Sequence, residues 1–292
     1  MVNAQFSSVA AGLWRLPSWG LSPAELARWT AEVADLGVTT IDLADIYGGY
    51  TVEESFGAAL AQAPGLRDRL QLVTKCDIKL VNKRRPAHRR HVYDTSAEHI
   101  ISSAENSLKV LGTDRLDVLL LHRQDPLMDP DEVAIAFAKL RASGKVRAFG
   151  ASNFMPSHLS MLQSRLPEPL VTNQVEASVL RLDPFEDGTL DQSLERRMTP
   201  MAWSPLGGGR LFTGDGEREA RVRAVLSRVG AEMGLSESAV AFAFLARHPS
   251  GIVPVTGTQQ VARVAEALAA VGVRLDRESW FDLWTASTGT NL

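Results

Sequence analysis

Eight short, nearly all-apolar runs, most of them followed by a stretch of helical periodicity, predict an α/β chain built on a parallel sheet. Eight such units within 292 residues suit closure of that sheet into a (β/α)8, or TIM, barrel. A third observation separates this fold from an open dinucleotide-binding sheet: no Gly-x-Gly-x-x-Gly follows the first run. Neither a low-complexity segment nor a Pro/Gly-rich linker divides the chain, so residues 1–292 are expected to form a single domain.

Each element has a local reason. The first run, Phe6 to Trp14, is interrupted by Gly12 and passes through Leu-Pro-Ser-Trp-Gly to a helix start. There Ser22 is placed to cap, Pro23 suits the first turn, and Glu25 completes a capping box. Leu26, Trp29, Val33 and Leu36 supply one helical face, which Gly37 ends. Val38 to Leu43 is the second run, and Thr51 with Glu54 predicts a second capping box before Phe56 to Leu60. Leu70 to Lys75 is the third run. Thr95 and Glu98 are then expected to open a helix carrying Ile100, Ile101, Ala104, Leu108 and Leu111. Leu116 to His122 is apolar on both faces, and Asp129-Pro130-Asp131-Glu132 opens the next helix. Val146 to Ser152, Leu170 to Val175, Pro200 to Ser204 and Ile252 to Val255 complete the eight strands. Helices over Glu237 to Arg247 and Val261 to Ala270 are among those filling the gaps.

Composition narrows the function classes. A formal charge of −3 exerts no general pull toward nucleic acid or an anionic membrane. The one cysteine, Cys76, excludes an internal disulfide and a multi-cysteine metal site, and suits a reducing compartment. No stretch approaches the ~18 consecutive apolar residues of a membrane span, and the first residues lack the basic and apolar regions of a secretory signal. The expectation is a cytoplasmic monomer acting on a small molecule, with no nucleic-acid or membrane partner and no metal.

In a (β/α)8 barrel the active site gathers at the C-terminal ends of the strands. Reading those ends yields Asp42 and Tyr47, then Lys75, His122, Ser152 with Asn153, Gln174, and Trp203 with Ser204. A lone strand-end lysine or aspartate is more often a solvated rim charge. Four such groups after three successive strands are not an ordinary coincidence.

The segments Asp42-Leu-Ala-Asp-Ile-Tyr47-Gly, Val73-Thr74-Lys75, Leu120-Leu121-His122, Gly150-Ala-Ser-Asn153-Phe, Asn173-Gln174 and Trp203-Ser-Pro-Leu-Gly207 resemble, in order, those of an aldo-keto reductase. The likeness runs from Gly12 to Glu266, and Tyr47-Gly-Gly-Tyr with Arg277-Glu-Ser-Trp280-Phe281 resembles a bacterial branch of uncharacterised oxidoreductases. The resemblance implies hydride transfer from a nicotinamide to an aldehyde or ketone. Tyr47 is then the general acid, His122 a second hydrogen-bond donor, and Lys75 the cation that tunes Tyr47 while Asp42 holds it. An ammonium ~4 Å from a phenol is worth about 4 kcal/mol, or roughly 3 pK units, in a surface-like dielectric. On that arithmetic Lys75 brings Tyr47 near working pH. Asp45 has no role in the resemblance and is expected to cap or solvate the loop.

Cofactor contacts follow from the same resemblance. Ser152, Asn153 and Gln174 match residues that bind the nicotinamide carboxamide, and Trp203 stands where a stacking tyrosine is usual. Ser204, Pro205, Leu206, Gly207 and Arg210 belong to the segment facing the pyrophosphate. Gly257, Thr258, Arg263 and Glu266 match the adenosine end, with Arg263 placed for a 2′-phosphate. Gly257 replaces a common lysine and Ala267 a common asparagine, which weakens that phosphate site; NADPH is still favoured over NADH. Trp14 is assigned to the substrate pocket, with Trp19 and Trp280 joining it if their loops converge. The basic stretch from Asp77 to Asp94 holds Lys79, Lys83, Arg84, Arg85, Arg89 and Arg90, and reads either as a solvated run or as a lid favouring anionic substrates. Three rivals are a lyase using Lys75 as a Schiff-base nucleophile, a nicotinamide-binding regulatory or sensor barrel, and a metal hydrolase. The last is disfavoured because His122 lacks companion ligands at metal spacing.

Overall fold

The computed structural model describes residues 6–290, and its centre is a closed barrel of eight parallel strands in chain order. They are β1 (Ala10–Gly12), β2 (Thr40–Asp42), β3 (Gln71–Cys76), β4 (Leu116–Leu121), β5 (Val146–Ser152), β6 (Asn173–Glu176), β7 (Met201–Trp203) and β8 (Val253–Thr256). Each overlaps its predicted run, and β8 pairs back onto β1.

Alternation along the strands sorts side chains between two environments. Val73, Val118, Leu120 and Ala148 form one small cluster within the barrel, and Ala10, Met201, Val253 and Val255 form another; Phe6 packs against both. Their chain neighbours Leu72, Leu119 and Leu121 instead join the large layer between strands and helices. Val73 pairs with Val118, and Lys75 with Leu120. Period two therefore turns Lys75 inward, and the same face of β4 continues one residue past the strand to His122. Gly150 on β5 is required by closeness, since a Cβ there would come 2.7 Å from the Thr172 carbonyl oxygen.

The helix starts show where local signals held and where they did not. Ser22 and Glu25 form the expected capping box on the helix Pro23–Asp35. The box expected at Thr51 and Glu54 does not form: Thr51 Oγ1 donates to the Gly48 carbonyl, and Glu54 pairs with Arg84 at 2.7 Å. The next cap is Ser96 rather than Thr95, whose hydroxyl donates instead to the buried Asp125 at 2.8 Å. At the first place a turn within the preceding loop and an ion pair to Arg84 replace the box, and at the second a tertiary partner outcompetes the local one. Helices over Pro156–Gln163, Thr189–Arg196, Glu217–Met233 and Arg277–Thr288 were not individually marked by the sequence.

The long basic segment is an ordered excursion. Ile78–Lys79 and Val92–Tyr93 pair as a two-stranded antiparallel ribbon, with Lys79 3.0 Å from Asp94 and Arg85 over the Tyr50 ring. Trp19 packs edge-on against Trp29, and Trp280 stacks on Phe244 in the layer outside the barrel. Their predicted convergence on a substrate pocket is overturned; packing against helices claims both indoles. No single described helix is long and apolar enough to cross a membrane.

Candidate active site

One cavity of about 1080 Å³ opens at the C-terminal ends of the strands. Asp42, Tyr47 and His122 line it, as do Ser152, Asn153, Gln174, Trp203, Ser204, Pro205 and Leu206. Trp14 and, toward the other end, Gly257, Thr258, Arg263 and Glu266 complete the predicted set that reaches it.

Lys75 lies below the cavity floor and is 1% exposed. Its Nζ donates to Asp42 Oδ1 at 2.8 Å, to the Leu43 carbonyl at 2.7 Å and to Tyr47 Oη at 3.1 Å. The three donors of the ammonium are thereby used. Tyr47 comes into range because the loop after β2 is laced to β3: Leu43 N donates to Val73 O, and Asp45 N to Lys75 O. The Tyr47 and His122 rings meet edge-on with centroids 5.9 Å apart. Gln174 reaches across the barrel, its Nε2 donating to Asp42 Oδ1 at 2.7 Å. Its amide nitrogen is therefore committed to the Asp42 carboxylate, leaving the amide oxygen for another partner.

Burial decides the charge states. It pulls the Lys75 pKa down, but the facing Asp42 and Tyr47 more than restore it, so the ammonium persists. Burial pushes the Tyr47 phenol up, and the nearby Lys75 charge offsets only part of that rise. The expected net depression of Tyr47 thus has the wrong sign: a surface dielectric overstates the cation's advantage where the phenolate is desolvated. His122 is held well below the ordinary histidine range by burial, then by Lys75 and Arg123, and its ring is neutral. Its Nδ1 is buried without a partner. An orphaned lone pair costs less than an orphaned N–H, so the proton belongs on Nε2.

A second network braces the wall. Asn153 Nδ2 donates to Ser152 Oγ at 2.8 Å and to the His122 carbonyl at 3.3 Å, while Asn153 Oδ1 accepts the Trp203 indole N–H at 2.9 Å. Ser152 Oγ in turn donates to the Gln174 carbonyl at 2.9 Å. Asn153 and Ser204 adopt left-handed backbones, φ 60° and 51°, which non-glycine residues seldom hold outside constrained sites. Gly207, Gly208 and Gly209 are left-handed too, and a Cβ on Gly209 would meet nothing.

Two predicted residues stand apart. Arg210 pairs with Glu219 at 3.0 Å, and Gly207 packs toward Leu180; neither lines the cavity. Arg15 takes the rim position, its Nη2 donating to the Gly208 carbonyl across the cleft at 2.7 Å. Arg15, Arg123, Ile78, Leu80, Phe212 and Phe242 line the cavity without having been marked beforehand. Arg123 had a signal, its place directly after His122; the others depend on how loops close.

A model of the aldo/keto reductase family matches residues 8–285. An uncharacterised oxidoreductase, YcsN, of Bacillus subtilis (strain 168) is 50% identical over 291 residues, covering 99% of this chain and 97% of that protein. A 6-dehydroglucose reductase of Agrobacterium fabrum is 46% identical, covering 98% and 95%. The crystal structure of an aldo/keto reductase from Klebsiella pneumoniae with NADP and acetate superposes with a TM-score of 0.77 at 25% identity, covering 95% of this chain and 90% of that one. With a closed parallel barrel and an Asp–Lys–Tyr–His cluster at the expected strand ends, the chain belongs to the aldo/keto reductase family of oxidoreductases.

Proposed function

We propose that the chain reduces an aldehyde or ketone to the alcohol, with NADPH as hydride donor and Tyr47 as general acid. The observation that most supports this is the line from Asp42 through the buried Lys75 ammonium to Tyr47 Oη, ending at the cavity. The cofactor reading draws on the NADP held by the Klebsiella relative and on fit. A cavity of about 1080 Å³ lies at the upper end of ligand-pocket sizes, with room for a dinucleotide and a small substrate together. The open left-handed glycines and Arg263 at its other end suit a phosphorylated ligand.

Bound there, NADPH supplies the hydride. Ser152, Asn153 and the free amide oxygen of Gln174 would hold its carboxamide, and Trp203 would stack on the ring. Ser204, Pro205 and Leu206 would follow the pyrophosphate, with Arg15 as the rim cation in place of Arg210. Gly257, Thr258, Arg263 and Glu266 would receive the adenosine end, Arg263 meeting the 2′-phosphate. On the substrate side, His122 Nε2–H orients the carbonyl oxygen. Tyr47 keeps its proton through neutral pH and gives it to the oxygen as negative charge develops there. The resulting phenolate faces an ammonium already in place, so no group must reorganise.

Tyr47→Phe removes the proton and keeps the ring. Turnover in an NADPH-oxidation assay should fall by about 10²-fold or more, with NADPH affinity by fluorescence titration near wild type. Retained turnover refutes the acid role. The aldehyde and ketone panel should include 6-dehydroglucose, because the Agrobacterium relative is named for it. We place the activity in the cytoplasm, since Cys76 is buried and unpaired, which suits a reducing compartment.

A further inference from the structure

We propose that Arg123 makes the substrate end of the cavity an anion subsite, so that the favoured carbonyl compound carries a carboxylate near its reacting carbon. This rests on the reductase reading and narrows it to a substrate class.

Arg123 lines the same cavity as Tyr47 and His122 and follows His122 directly in the chain. Its one side-chain-mediated hydrogen bond among the described residues is made by its backbone amide, which donates to Asp77 Oδ2 at 3.1 Å. The guanidinium has no such partner. Of the other charged residues lining the cavity, Arg263 belongs to the cofactor end, and the rest have partners. Asp42 accepts from Lys75 and Gln174, Glu266 from the Ser236 and Ser238 hydroxyls, and Arg15 donates to Gly208. No lining carboxylate therefore balances Arg123. Its charge reaches the reacting groups, since it disfavours the His122 imidazolium after burial and Lys75 have done so.

The backbone that carries the cation is anchored. Asp77 is fully buried and held at φ 91°, and its carbonyl accepts the Asp94 amide at 2.8 Å where the ribbon returns. One residue thus anchors both the Arg123 backbone and the base of the ribbon. A planar guanidinium on that anchored backbone can match a carboxylate through two parallel hydrogen bonds. Ile78 and Leu80 give the same end apolar walls for the substrate's body, and Lys83, Arg89 and Arg90 on the segment beyond steer anions toward it.

The test compares 4-oxobutanoate with its methyl ester, which keeps the aldehyde and removes the charge. Wild-type protein with NADPH should prefer the acid in kcat/KM. In Arg123→Gln the acid-to-ester ratio should fall about 10- to 100-fold, chiefly through KM, and Arg123→Lys should recover part of it. NADPH titration establishes that both variants are folded. Equal losses on acid and ester, or no wild-type preference for the acid, overturn the subsite; the former outcome would indicate a site for neutral hydroxyl groups. If wild-type protein reduces neither compound nor any other aldehyde, the reductase reading fails by itself. Butanoate titrated into the NADP-bound protein, with butyramide as the neutral control and tryptophan fluorescence as the signal, then decides. Selective butanoate binding that Arg123→Gln abolishes supports the subsite, and its absence overturns it.

Discussion

In the proposed reaction Tyr47 would work through charges it does not carry. Burial keeps its proton on, the Lys75 ammonium stands 3.1 Å away where it would meet a phenolate, and Asp42 helps keep that ammonium charged. A pH profile follows from the directions of these shifts. His122 has a folded pKa well below 6.5, so as pH rises its ring is already neutral before that value. Tyr47 lies above 10, so it retains its proton until strongly basic pH. For carbonyl reduction, kcat/KM should be flat from about pH 6 to 9 and decline only on the basic side. An acidic limb centred at or above 6.5 that moves with His122 substitutions sinks this assignment. Asp42, Lys75 and His122 were legible because each stands at the end of an apolar run, and Tyr47 because it follows in the loop after the second run. The sign of the Tyr47 shift was not, because desolvation depends on everything packed around the ring.

At the scale of elements, the loop from Leu43 to Thr51 is stitched to β3 and carries a buried carboxyl. Asp45 is 7% exposed, and its Oδ1 has no partner, against the expectation of a loop cap. Burial, then Glu53, raises its pKa well above 3.8. The folded state therefore binds a proton that the unfolded chain gives up near 3.8. The stabilising contribution is complete below that value and is lost as pH rises through the folded pKa. Asp45→Asn removes the ionisation, so its stability relative to wild type should rise between pH 5 and pH 8 in urea unfolding. A pH-independent difference refutes this account. Helix starts show the same limit on local reading. Ser22 caps because nothing else claims it, whereas Thr51 turns back to the Gly48 carbonyl and Thr95 is recruited by the distant Asp125.

Across the whole molecule, the two ends of the barrel divide chemistry from stability. Near the N-terminal end of β4, Asp117 accepts from Arg67 at 2.8 Å, from the Leu72 amide at 2.9 Å and from Arg147 at 3.1 Å. That cluster ties β3, β4 and β5 together beneath the inner apolar layers. Asp117→Ala leaves a buried guanidinium and an amide without their acceptor, and should cost about 3 kcal/mol in chemical denaturation. The kcat of the folded fraction should be nearly unchanged, because the catalytic residues stand at the opposite ends of the strands. A large fall in kcat without loss of stability contradicts this division.

Periodicity determined the barrel and the strand ends that carry Asp42, Lys75 and His122, because each was written as a local alternation along one strand, and the family resemblance supplied their proposed roles and part of the cavity wall. Closure of the sheet decided the rest. It brought Gln174 onto Asp42 from the far side of the barrel and left Arg123, beside His122, without a charged partner among the described residues, while the helix that follows in the chain turned Arg210 to Glu219. Such outcomes depend on which groups from distant strands compete for one partner, and on how much water their packing removes. Neither quantity exists until all eight strands meet.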